Sequence, residues 1–160
     1  MIFSEDKYRF MYAALQEAEH AFEEDEVPVG AVVVHNNKII GRGYNQIEKL
    51  KDATAHAEMI AITSASNQLS NWRLNECSIY VTLEPCIMCA GALLSARMNE
   101  LYFAASDTKF GACGSIYNIA EEFKTNHKIK VYSGLLSKES EDLLKRFFDK
   151  QRTKSKNKII

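Results

Sequence analysis

Apolar residues recur along this chain with two different periods, and the switch between them predicts the elements. Tyr8, Met11, Tyr12, Leu15, Ala18 and Phe22 return at intervals of three and four, the spacing of one helical face. Ser4 precedes them as an N-cap, with Glu5 and Asp6 in the first turn where the helix dipole favours negative charge. The period then shortens. Residues 29–35 and 38–44 read as strands joined by Asn36 and Asn37, which tolerate the left-handed backbone of a tight hairpin turn. Thr54 caps a second helix reaching about residue 67. Residues 78–83 form a buried strand, and Pro85 takes the first position of a third helix to about residue 97. Residues 101–105 and 129–132 are two more short strands. Ser137 caps a last helix with Leu143, Leu144, Phe147 and Phe148 on one face. A hairpin followed by alternating helices and strands predicts an α/β fold, a mixed five-stranded sheet with helices on both faces.

The chain has 160 residues, 46% hydrophobic and 26% charged, which fits one globular domain rather than a disordered or fibrous chain. The expected division is a single domain over residues 1–152 and a basic, flexible tail over 153–160. The net charge of −1 does not announce a polyanion binder, but its distribution is uneven. Residues 17–26 are acidic, whereas residues 145–158 hold seven Lys or Arg and one Asp. No apolar run reaches the ~18 residues of a membrane span, and the start lacks a basic stretch followed by an apolar one. A cytoplasmic location and no membrane partner are the expectation. Four cysteines are too few and too unevenly placed for a disulfide scaffold, so reduced thiols are expected.

The chemistry sits in two short runs, His56-Ala57-Glu58 and Pro85-Cys86-Ile87-Met88-Cys89, each at the start of an expected helix. Cys86 and Cys89 are three apart and share a helical face near an N-terminus, where the dipole favours thiolate, the metal-binding form. His56 adds a third ligand from the other helix. Three protein ligands leave tetrahedral zinc one open position for water, which the metal makes acidic enough to supply hydroxide near neutral pH. Glu58, two residues from His56, does not face the same way along a helix. It suits a flanking carboxylate that moves protons rather than a second ligand. Two alternatives stand beside this. The Cys pair could be a redox dithiol, or a closed structural site could recruit Cys77, Cys113, His20, His35 or His127, none of which has ligand spacing to another. Taken together, the runs match H-x-E…P-C-x-x-C, the pattern of zinc nucleobase deaminases.

At these residues the chain resembles the bacterial tRNA-specific adenosine deaminases of the cytidine/deoxycytidylate deaminase superfamily. Matching stretches run from Glu26 to Val32, Thr54 to Glu58, Asn71 to Leu74 and Tyr80 to Cys86, then through Met88 to Ala92, Asn126-His127 and Phe147-Phe148. The resemblance implies a three-layer α/β/α fold, a homodimer with one Zn2+ per subunit, and hydrolytic conversion of adenosine to inosine at position 34, the wobble position, of a tRNA anticodon stem-loop. It implies zinc ligation by His56, Cys86 and Cys89 and proton transfer by Glu58. It also implies nucleoside contact by Asn45, RNA contact beside the target by Asp107, and contact with anticodon nucleotides by Phe148. With it, Arg152 becomes a candidate RNA contact among the basic residues Lys145, Arg146, Lys150, Arg152 and Lys154. Ser106 and Phe110 depart from the family pattern and bear on flanking-base recognition. Two rival functions share features of the site: deamination of a free base or nucleoside, and a non-catalytic RNA-binding module with structural zinc. Cys77, Cys113 and Trp72 read as core residues, Trp72 with a possible subunit contact.

Overall fold

A computed structural model describes residues 2–122 and 124–158. The elements run α1 (Glu5–Glu23), β1 (Gly30–His35), β2 (Lys38–Tyr44), α2 (Ile47–Leu50), α3 (Ala57–Leu69), β3 (Cys77–Leu83), α4 (Ile87–Ser95), β4 (Glu100–Ala105), α5 (Ile119–Glu122), β5 (Lys130–Ser133) and α6 (Ser137–Asn157). The strands form one sheet in the order β2-β1-β3-β4-β5. β1 is antiparallel to both β2 and β3, while β3, β4 and β5 are parallel to one another. Asn36 and Asn37 both have positive φ, 48° and 60°, as a tight hairpin turn demands. The mixed sheet therefore matches expectation.

Alternation along the strands builds two cores. Ala31, Val33, Ile79, Val81, Leu101 and Phe103 face α3, α4 and α5, where Ala57, Ala61, Ala65, Ala90 and Leu93 are buried. Val32, Val34, Tyr80 and Tyr102 face α1, packing on Phe10, Met11 and Ala14. Tyr80, Tyr102 and Tyr132 stack across three neighbouring strands, with ring centroids 4.6 and 4.8 Å apart. The last helix, α6, joins this second face: the buried Ser140 hydroxyl donates to Thr82 O at 2.5 Å, and Phe147 packs edge-on to Phe22.

Several sequence expectations shift. The buried face of α1 comprises Phe10, Met11, Ala14, Leu15, Ala18 and Ala21; Tyr8 and Tyr12 point to solvent. Small alanines seat the helix closely on the sheet, and their weak hydrophobic signal hides the true stripe. Trp72 is not core: it is 54% exposed, with the Arg73 guanidinium over its ring at 4.3 Å. Leu136, in a left-handed conformation, is the N-cap of α6, and Ser137 is its first residue. Of the apolar stripe on α6, Leu143 and Phe147 are buried and Phe148 is exposed. That helix continues through residues 153–157; Ile159 and Ile160 lie outside the described residues.

Candidate active site

Two helix starts meet at one end of the sheet. The first is set by Asp52, whose Oδ1 accepts hydrogen bonds from the Thr54 amide and hydroxyl at 2.8 and 2.7 Å. Thr54 is thus spent on a turn and does not cap the helix. The cap falls to His56, with extended backbone (φ −75°, ψ 153°), and Glu58 lies in the first turn. Helix α3 sits tightly on β2 because Gly43 has no side chain there: a Cβ would lie 2.4 Å from Ala57 O and 2.8 Å from Ala61 N. The second start follows β3. Pro85 stands before α4 rather than within it, and Cys86 is the N-cap with φ −74° and ψ 177°. Cys89 then falls in the first turn, as the spacing predicts.

These two starts bring the three expected ligands together. His56 Nδ1 lies 3.7 Å from Cys86 Sγ and 3.5 Å from Cys89 Sγ. All three donor atoms are within 4.8 Å of one another, and they form the one such group among the described residues. Zinc bound tetrahedrally to one nitrogen and two sulfurs would set N···S edges of about 3.6 Å, so the donor set fits the ion without rearrangement. Cys77 and Cys113 are buried but outside the group, as is the Glu58 carboxylate.

The electrostatics suit the same use. The Cys86 thiol is pulled down to about 4, chiefly through the Cys89 thiol and then through His56. Cys89 is raised by the same bond and by burial, so one proton is held between the two thiols and a bound cation would displace it. His56 is raised by Cys86 first, against the opposing effect of its own burial. Glu58 is 4% exposed. Burial pushes its carboxyl up to about 7, against the pull of neighbouring His56. A carboxyl near neutrality beside a cation site can both take and give a proton.

The remaining expected residues spread outward. Asn45 is 6% exposed; its Nδ2 donates to Val27 O at 3.3 Å while its buried Oδ1 has no partner among the described residues. The adjacent Gln46 amide donates to Ala55 O at 3.0 Å, fixing this segment beside His56. Asp107 lies on the loop after β4, and its Oδ1 accepts the amides of Lys109 and Phe110 at 2.9 and 3.1 Å. Phe148 and Arg152 stand on α6, across the sheet from α3 and α4; Arg152 is paired with Asp149. His127 fixes its loop by a 2.6 Å hydrogen bond with Met98 O.

Two buried carboxylates received no role from sequence. Glu26 accepts the amides of Glu48 and Lys49 at 3.2 and 2.7 Å and so holds α2 next to Asn45. Glu84 accepts the amides of Asp107, Cys113 and Ser115 at 2.9, 3.1 and 2.9 Å, pinning the loop after β4 to the residue two before Cys86. An acidic residue between an apolar strand and the Pro-Cys pair was the available signal.

Comparison with known proteins agrees with this geometry. The MafB19-like deaminase family matches residues 5–152. A tRNA-specific adenosine deaminase of Aquifex aeolicus is 46% identical over 91% of this chain and 96% of its own length. That of Bacillus subtilis is 44% identical over 92% and 91%. Among solved structures, one from work on A-to-I editing by tRNA:A34 deaminases at the wobble position superposes with a TM-score of 0.81 and 44% identity. It covers 84% of this chain and 98% of the other. A guanine deaminase from Nitrosomonas europaea, 22% identical with a TM-score of 0.77 over 92% and 86%, shares the fold.

Proposed function

We infer the reaction from one premise: this chain is a MafB19-like deaminase and belongs with the tRNA-specific adenosine deaminases. It converts adenosine to inosine by hydrolysis at the wobble position of a tRNA anticodon. The observation that carries this reading is the convergence of His56, Cys86 and Cys89 beside the buried Glu58.

Zinc held by His56, Cys86 and Cys89 would supply a Lewis acid that brings the pKa of water to about 7. Glu58 removes the proton from the attacking water as oxygen adds at C6 of the purine. The same carboxyl delivers that proton to N1 and passes the next to the departing amino group. Water is consumed, ammonia leaves and inosine remains. Burial holds the Glu58 carboxyl near neutrality, where it can both accept and release a proton. Asn45 would offer the nucleoside a buried acceptor that has no partner among the described residues. Such an oxygen gains most from a donor that arrives with the substrate.

The target base must leave its stack to reach this site, a cost of a few kcal/mol that is least in a splayed single-stranded loop. We assign the RNA contact of Asp107 to the carboxylate oxygen that does not hold its own loop. Phe148 and Arg152 lie farther out on the basic α6, where Arg152 would exchange Asp149 for a phosphate. We also assign a homodimer, whose partner would cover exposed apolar residues such as Trp72 and Tyr117. No described helix is long and apolar enough to cross a membrane, and a cytoplasmic location follows from the substrate. The test is incubation with an anticodon stem-loop carrying adenosine at position 34, beside free adenosine, cytosine and guanine. The expected result is A read as G at that position alone. Turnover of a free base with an untouched stem-loop would overturn the RNA assignment.

A further inference from the structure

We propose that Phe110 reads the base beside the target nucleotide by stacking on it, and that Glu84 is the positioning residue that holds Phe110 ready. The proposal rests on the reading of this site as an RNA-editing centre and adds the residue that touches the neighbouring base.

The loop after β4 is pinned from three directions. Glu84, 2% exposed, lies between the end of β3 and Pro85. Its Oε2 accepts the Asp107 amide, and its Oε1 accepts the amides of Cys113 and Ser115. The Ser115 hydroxyl donates to Oε2. One buried carboxylate thus binds both ends of the loop, and these donors offset the cost of burying it. Asp107 closes the tip by accepting the Lys109 and Phe110 amides, while the Gly111 amide donates to Asp107 O at 3.0 Å. The Ala112 amide donates to Pro85 O at 2.9 Å, one residue from the metal-ligating Cys86. Nothing larger than glycine fits at position 111: a Cβ would meet Asp107 O at 2.4 Å and Glu84 Cδ at 2.5 Å.

The tip between these anchors is held at both ends, and Phe110 is 69% exposed. An exposed phenyl ring on a freely moving loop would lose much of its binding energy to ordering. On a loop already fixed by its own hydrogen bonds it loses little. The Ala112 amide on Pro85 O brings this loop to the edge of the metal site, and with the target base in the site we assign the next nucleotide as the group that meets the ring. Single-stranded RNA is recognised in this manner, by stacking of unpaired bases on aromatic side chains.

The experiment uses the full chain and stem-loops with 2-aminopurine on either side of the target adenosine. Stacking on Phe110 quenches the probe on one side, and Phe110→Ala abolishes that quench and raises Kd and KM about 10-fold with kcat changed much less. Phe110→Trp restores both. Glu84→Gln, with zinc content and helix content retained, reproduces the losses, and the double variant is no weaker than the worse single one. Should Glu84→Gln fail to fold, Ser115→Ala, which removes one donor from the carboxylate, gives a smaller effect of the same kind. Unaltered quenching, Kd and KM in Phe110→Ala would overturn the proposal, as would full additivity in the double variant or conversion of dimer to monomer by Phe110→Ala. Absence of inosine with the unmodified chain would instead sink the functional reading.

Discussion

Substituting Gly43 by alanine tests whether the sheet holds the catalytic helix where the chemistry needs it. The added Cβ would lie 2.4 Å from Ala57 O, 2.8 Å from Ala61 N and 3.0 Å from Ile60 Cβ. Ordinary contact between such atoms begins near ~3.5 Å, so α3 must rise from β2 by roughly 1 Å. The atoms in the way are backbone, which cannot swing aside as a side chain would. Overpacking of this kind costs about 1–3 kcal/mol, and the backbone contacts place it in the upper half. For a chain of this size each kcal/mol is worth about 2–4 °C, giving a fall in Tm of roughly 4–12 °C. The helix turn that moves carries His56 and Glu58, and a 1 Å displacement of catalytic groups costs up to about 100-fold in rate. Thermal unfolding followed by circular dichroism reads the first effect, and inosine formation on the stem-loop reads the second. A variant melting within about 1 °C of the parent with unchanged turnover would refute the claim that this close approach positions the site.

Other outcomes follow from the same structure. Exhaustive chelation should abolish deamination and added zinc restore it, whereas Cys86→Ser and Cys89→Ser should lower bound zinc per chain in elemental analysis. Arg152→Ala should weaken stem-loop binding and reduce the salt dependence of log Kd by about one contact; an unchanged slope would remove Arg152 from the interface. Ser140→Ala deletes a buried hydroxyl that donates to Thr82 O, and should cost about 1–2 kcal/mol in denaturant unfolding without altering KM.

The periodic parts of this fold are legible in the sequence because burial acts on them directly. The hairpin over β1 and β2 and the three parallel strands carry apolar or β-branched runs, and Asn36-Asn37 marks the turn by its tolerance of positive φ. Helix starts are less legible. Thr54 has the right chemistry for a cap, but Asp52 engages its amide and hydroxyl first and moves the start to His56. The α1 stripe misleads for a different reason: the residues that approach the sheet are alanines, while Tyr8 and Tyr12 add an apolar signal on the solvent side. Within the site, spacing exposes His56, Cys86 and Cys89 because an ion held by three side chains would impose a fixed geometry on all of them. Glu26 and Glu84 obey no such spacing. Each binds amides more than 20 residues away, a relation that exists only after the chain has folded.

The most direct test of the central claim replaces Glu58 by glutamine and measures two quantities on the same preparation, zinc per chain and inosine formed at the wobble adenosine. The account predicts zinc bound as in the parent and turnover reduced by about 100-fold or more, since the amide keeps the shape of the side chain but moves no proton. Turnover that survives at the parental rate with zinc in place would contradict it.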